Sequence, residues 1–104
     1  MPSLNHGYVQ GKLYSALDKL GKYLVIPNLS LQLDDNPYIP DLCLYEPQEI
    51  DPLHDQVKMT TPPLLAIEIL SPTQGTLEIL DKFELLFKAG TKSCWLVEPV
   101  ASVV

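Results

Sequence analysis

The sequence contains no apolar run approaching the roughly 18 residues that cross a bilayer, so no helical membrane span is expected. Its first residues, MPSLNHGYVQ, lack the basic-then-apolar layout of a secretory signal. Cysteine is scarce. Cys43 and Cys94 show no metal-ligand spacing, and each lies inside an apolar run. Both read as reduced core residues, which favours a cytoplasmic protein. Positive charge is also in short supply. Seven basic residues face thirteen acidic ones, for a net charge of -6 and a pI of about 4.6. Such a chain has little sequence-independent attraction to a phosphate backbone unless its lysines converge locally. Internal repeats, low-complexity tracts and linkers are missing as well.

What remains is an ordinary globular composition, 46% hydrophobic and 19% charged over 104 residues. That length supports one domain, spanning 1–104, with one core. Asn5 can cap a helix from about His6 to Gly21, with Val9, Leu13, Ala16, Leu17 and Leu20 as its apolar stripe. KYLVIPNLSLQL reads as an extended strand broken at Pro27–Asn28, and DDNP is turn chemistry. DLCLYE is a second strand, followed by a proline-rich loop from Glu46 to Pro63. LLAIEIL is a third strand, apolar enough to be covered on both faces. SPTQG leads into a helix from about Thr76 to Ala89, stopped by Gly90, and SCWLVEP is a final strand. The order is helix, three strands, helix, strand. The second helix can act as a crossover between parallel strands, and the first three strands suit an antiparallel meander. A mixed α/β sheet flanked by helices is the expected fold.

Two carboxylates stand out. Asp41, Cys43 and Tyr45 share one face of their strand, and Ala66, Glu68 and Leu70 share one face of theirs. Should these strands pair, Asp41 and Glu68 meet. Two close carboxylates resist ionising together, and a hard divalent cation such as magnesium or manganese resolves the conflict. The plainer alternative is a salt-bridged or solvent-facing Glu68 and an Asp41 that merely follows a turn.

Taken together, IPDLCLY, PPLLAIEILSP, DKFELLFKAG and CWLVEP resemble the Uma-type "putative restriction endonuclease" family, a branch of the PD-(D/E)XK nuclease superfamily. The resemblance runs from about Leu4 to Pro99. It implies a restriction-endonuclease-like core and a metal-dependent endonuclease acting on DNA phosphodiester bonds. Asp41 matches the motif aspartate and Glu68 the motif acid, with the Ile69 carbonyl as a further ligand to Mg2+ or Mn2+. The usual lysine two residues after the acid is replaced by Leu70, and Lys82 on the next helix matches the residue that substitutes for it. Its task would be to hold the attacking water or steady charge on the phosphate. Lys82 borders the apolar face formed by Ile79, Leu80, Phe83, Leu86 and Phe87, and Glu78 is placed to pair with it at four-residue spacing. That pair by itself is an ordinary solvated one. His6 matches a histidine recurring at the start of the family's first helix, with a phosphate-contacting role or simple packing as alternatives. Ser71 follows the acid in the family and here suits the turn before the helix. His54 belongs to the surface loop.

The chain also departs from the family pattern. Glu78 and Glu98 replace aspartates, and Leu86 replaces a tyrosine. Relatives extend further at both ends, so the core is expected to be shortened there, with sheet edges to cover. Leu77 and Leu85 lie off the apolar face of the second helix. Both features point to a homo-oligomer. They equally suit the alternative of a catalytically inactive binding or assembly module built on the nuclease fold.

Overall fold

Ser3 rather than Asn5 starts the first helix. In the computed structural model, which describes residues 3–72 and 75–99, the Ser3 side chain accepts from the His6 amide at 3.1 Å. Cap side chains bond two or three residues ahead, and Ser3 satisfies that geometry. The helix α1 spans Leu4–Lys19. Its stripe is narrower than expected. Val9, Leu13 and Leu17 pack on the sheet, whereas Ala16 and Leu20 are exposed.

The extended run after α1 splits at Pro27–Asn28, as its breaker residues suggest, but its halves join different sheets. β1 (Leu24–Pro27) enters a four-stranded sheet. β2 (Leu31–Leu33) instead forms a hairpin with β3 (Asn36–Tyr38). Asp34 and Asp35 make the two-residue turn with φ of 48° and 64°, the left-handed pair that suits a twisted hairpin. So DDNP is half turn and half strand, and β3 is an element the sequence did not announce.

β4 (Leu42–Tyr45), β5 (Leu65–Ile69) and β6 (Ser93–Val97) complete the main sheet in the order β1-β4-β5-β6. β1, β4 and β5 are the antiparallel meander, with the β2–β3 hairpin inserted. β5 and β6 are parallel neighbours connected through α2 (Thr76–Ala89). Gly90 closes α2 at φ 116°, a conformation that side chains with Cβ rarely adopt. Thr73 and Gln74 of the SPTQG lead lie outside the described residues.

The central strands are covered on both faces. Val25, Leu42, Leu44, Ile67 and Ile69 form the layer beneath α1. Cys43, Tyr45 and Ala66 turn the other way, toward Leu31 and Leu33 of the hairpin and Ile79, Phe83 and Leu86 of α2. Each fully buried side chain of this size contributes about 1.5–3 kcal/mol. Leu80 and Phe87 are exposed. They flank the Ile79–Phe83–Leu86 ridge on the side away from Lys82, too far round the helix to reach the sheet.

Candidate active site

Alternation along β4 and β5 fixes the first relationship. Leu42 opposes Ile67 in the antiparallel register, so the preceding Asp41 comes opposite Glu68. The Asp41 amide donates to Glu68 Oε1 at 2.9 Å. In return, the Ile69 amide donates to Asp41 Oδ2 at 2.7 Å. The Glu68 carboxylate is thus held by the Asp41 backbone, and the Asp41 carboxylate by the backbone of the residue after Glu68.

α1 supplies the next shell. His6, the only buried residue of that helix, brings Nε2 to 3.0 Å from Asp41 Oδ2. A carboxylate only accepts, so Nε2 carries the shared proton. His6 Nδ1 is buried without a hydrogen-bond partner among the described residues. One turn on, Gln10 donates to the Asp41 carbonyl at 2.8 Å and to Asn28 Oδ1 at 3.2 Å. Gln10 was not anticipated from sequence. Its four-residue spacing from His6 is the signal that places both on one helix face.

The far side of the site is built by the hairpin and α2. Lys82 Nζ lies 4.8 Å from the centre of the Tyr38 ring and 3.9 Å from Glu78 Oε1. The expected Glu78–Lys82 pair therefore exists, at the outer limit of an ion pair and largely in solvent. A cation–π contact is worth about 0.5–2 kcal/mol depending on burial. An exposed pair at four-residue spacing contributes about 0.2–0.5 kcal/mol. Tyr38 is thus the stronger holder of this lysine. Tyr38 also escaped the sequence, since one aromatic in a three-residue strand carries no chemical pattern.

Burial dominates the electrostatics. Glu68 is 3% exposed, and its pKa is pushed from the ordinary 4.5 up to about 7, first by desolvation and then by the charge of Asp41. The Asp41 amide, the Tyr38 hydroxyl and Lys82 oppose that rise. The Tyr38 hydroxyl lies against Glu68 closely enough to favour its charged form, yet falls short of hydrogen-bond geometry and is buried without a partner among the described residues. Burial and Glu68 together raise the Tyr38 phenol well above its usual range.

The donor set suits a small hard cation in kind. The internal bonds engage Glu68 Oε1 and Asp41 Oδ2, and the second oxygen of each acid takes part in none of them. Magnesium commonly takes one or two carboxylates and keeps its remaining positions for water and phosphate. Among the described residues, no group of three or more His, Cys, Asp or Glu side chains is arranged around a metal position.

Other singled-out residues lie elsewhere. His54 pairs with Asp51 at 2.7 Å on the exposed loop. Ser71 lines a cavity of about 290 Å3 with Ser3, Asn5 and Glu98. Both thiols are free. Burial pushes Cys43 up to about 12 and Cys94 up to about 11, so neither is an activated nucleophile. Cys94 is only half-buried, because β6 is the edge strand of the described sheet.

Comparison with known proteins adds the family. Residues 1–104 match the family described as Uma2, "putative restriction endonuclease". The chain belongs to the Uma2 family. Its fold is shared with a solved structure from Anabaena variabilis, described as a "putative nuclease belonging to DUF820". The two superpose with a TM-score of 0.83 at 23% identity, over 96% of this chain and 60% of that one. This Uma2 chain thus spans about 60% of the length of that relative. None of the curated proteins matches it. No helix among the described residues is long and apolar enough to cross a membrane.

Proposed function

We propose that residues 1–104 form one nuclease domain that hydrolyses DNA phosphodiester bonds with Mg2+ or Mn2+ held by Asp41 and Glu68. The Ile69 carbonyl is the further ligand in this reading. The observation that carries it is the holding of both carboxylates by backbone amides across neighbouring strands, 2.9 Å from the Asp41 amide to Glu68 and 2.7 Å from the Ile69 amide to Asp41. Purely structural acids would more simply be paired with lysine. Here two carboxylates are kept together in a largely buried place, at an electrostatic cost that a bound cation would offset.

A divalent ion would supply charge neutralisation at the scissile phosphate. The protein's own groups do the positioning. His6 and the Ile69 amide orient Asp41, and Gln10 fixes the backbone at that residue. Lys82 offers a point charge to the non-bridging phosphate oxygens or holds the attacking water. Glu78 tethers the same lysine from the solvent side. All seven basic residues are lysines, so phosphate is met by mobile ammonium groups rather than bidentate guanidinium forks. With a net charge of -6, non-specific affinity for DNA is weak.

A homo-oligomer fits the exposed Leu77 and Leu85, and a cytoplasmic setting fits the two free thiols. The deciding experiment is cleavage of supercoiled plasmid DNA with Mg2+ or Mn2+, wild type beside Glu68→Ala. Metal-dependent nicking that disappears in the variant supports the proposal. No cleavage under either metal favours a silent binding or assembly module instead.

A further inference from the structure

The β2–β3 hairpin adds no strand to the main sheet, yet it is firmly placed. Leu31 and Leu33 are buried with Ile79, Phe83 and Leu86 of α2. The long loop pins its outer edge, with the Gln32 amide donating to the Met59 carbonyl at 2.9 Å and the Met59 amide to the Ser30 carbonyl at 2.8 Å. Tyr38 opposes Leu31 in the hairpin register, so it shares the face that packs toward α2. A cavity of about 110 Å3, bordered by Leu33, Tyr38, Lys82 and Leu85, lies between hairpin and helix. Where that face meets α2, the Lys82 ammonium rests 4.8 Å from the Tyr38 ring centre, inside the roughly 6 Å range of cation–π attraction.

We propose that Tyr38 is a positioning residue for Lys82, and that the hairpin exists in this fold to seat that ammonium on the Glu68 side of α2. The proposal rests on the assignment of Lys82 above. A lysine on an exposed helix face otherwise samples many rotamers, and most of them point to water. Glu78 alone would draw it outward, since that carboxylate is mostly solvent-exposed. The ring supplies the opposing pull and excludes water from one side of the ammonium. The aromatic face does this work, so the hydroxyl is dispensable for it.

Two readouts test the idea. The first needs no activity. In 13C-resolved NMR spectra, the ε-methylene of Lys82 should carry an upfield ring-current shift in wild type, in Tyr38→Phe and in Glu78→Gln. The shift should vanish in Tyr38→Leu, or in Tyr38→Met if the leucine variant does not fold. The second is a double-mutant cycle on plasmid cleavage with Mn2+. Tyr38→Leu should lower kcat by about 10²-fold, the scale of a small misplacement of a reacting group, with KM little changed. In a Lys82→Ala background the same substitution should cost nothing further. A wild type without the ring-current shift, or losses that multiply in the double mutant, would overturn the proposal. A wild type that cleaves nothing removes the nuclease reading instead, and the ring-current shift then decides by its presence or absence whether Tyr38 seats Lys82.

Discussion

The Asp41 amide donates to the Glu68 carboxylate at 2.9 Å, and the Ile69 amide donates back to the Asp41 carboxylate at 2.7 Å. This exchange between the start of one strand and the end of its neighbour makes the two acids a single unit. Changes at either one should be felt at the other.

Metal binding is the direct expression of that unit. A ligand held only by the native state adds RT ln(1 + [L]/Kd) to stability. Divalent metal should raise the melting temperature of wild type, and Asp41→Asn should remove most of that increment. Differential scanning fluorimetry across a Mn2+ titration checks this, and an undiminished response in the variant would move the cation away from Asp41.

The pH dependence follows from Glu68. Its folded pKa, about 7, lies above the ordinary value of 4.5, so folding favours the protonated form. The stability it contributes is fully present below about pH 4.5 and is lost as pH rises through about 7. Without metal, urea melts should show wild type losing on the order of 1–3 kcal/mol between pH 4.5 and 8 relative to Glu68→Gln. Protons compete with the cation for this carboxylate, so Mn2+ affinity should climb over the same interval. A flat difference between the two proteins would show that Glu68 is not so perturbed.

Lys82 separates catalysis from metal binding. Lys82→Ala should reduce cleavage by about 10²–10³, as loss of one charge-stabilising donor does, while metal-induced stabilisation persists. Leu70 is half-buried on the same strand face as Glu68. Adding Leu70→Lys to the alanine variant should restore part of the rate, provided the new ammonium does not unfold the strand. Single-turnover cleavage assays compare the three proteins, and a Lys82→Ala enzyme as fast as wild type would return Lys82 to a mere helix-surface partner of Glu78.

The Tyr38 hydroxyl offers a stability test. It is buried without a partner among the described residues, a condition that costs about 1–3 kcal/mol when water cannot reach the group. Tyr38→Phe should therefore be neutral or stabilising by up to about 1 kcal/mol in thermal or urea melts. A clear destabilisation would mean that the hydroxyl has a partner, such as an ordered water bridging to Glu68.

Much of the fold was legible because its period is strong. LCLY and LAIEI sit in the middle of the sheet with both faces covered, and their near-continuous apolar character says so. Asp41 and Glu68 could be placed on one face by counting twos. The hairpin was not legible. β3 is three residues long and contains Pro37, and its turn uses two aspartates in left-handed conformations instead of a glycine. Ser3 and Asn5 are both good caps two residues apart, and only the reach to the His6 amide separates them. Leu80 and Phe87 look like core on a helical wheel, but the sheet touches a narrower arc of α2. Gln10 and Tyr38 acquire meaning only once α1 and the hairpin are folded against Asp41 and Lys82.

The Ile69 amide hydrogen is bonded to a side chain, Asp41 Oδ2, rather than to a neighbouring strand. Its deuterium exchange is thus set by the state of one carboxylate inside an otherwise protected strand. In wild type that amide should exchange slowly, and in Asp41→Ala it should exchange faster than the amides of Ala66 and Ile67 beside it. Whatever engages Asp41 will register at this one proton, giving the protein a natural reporter that needs no label at the site.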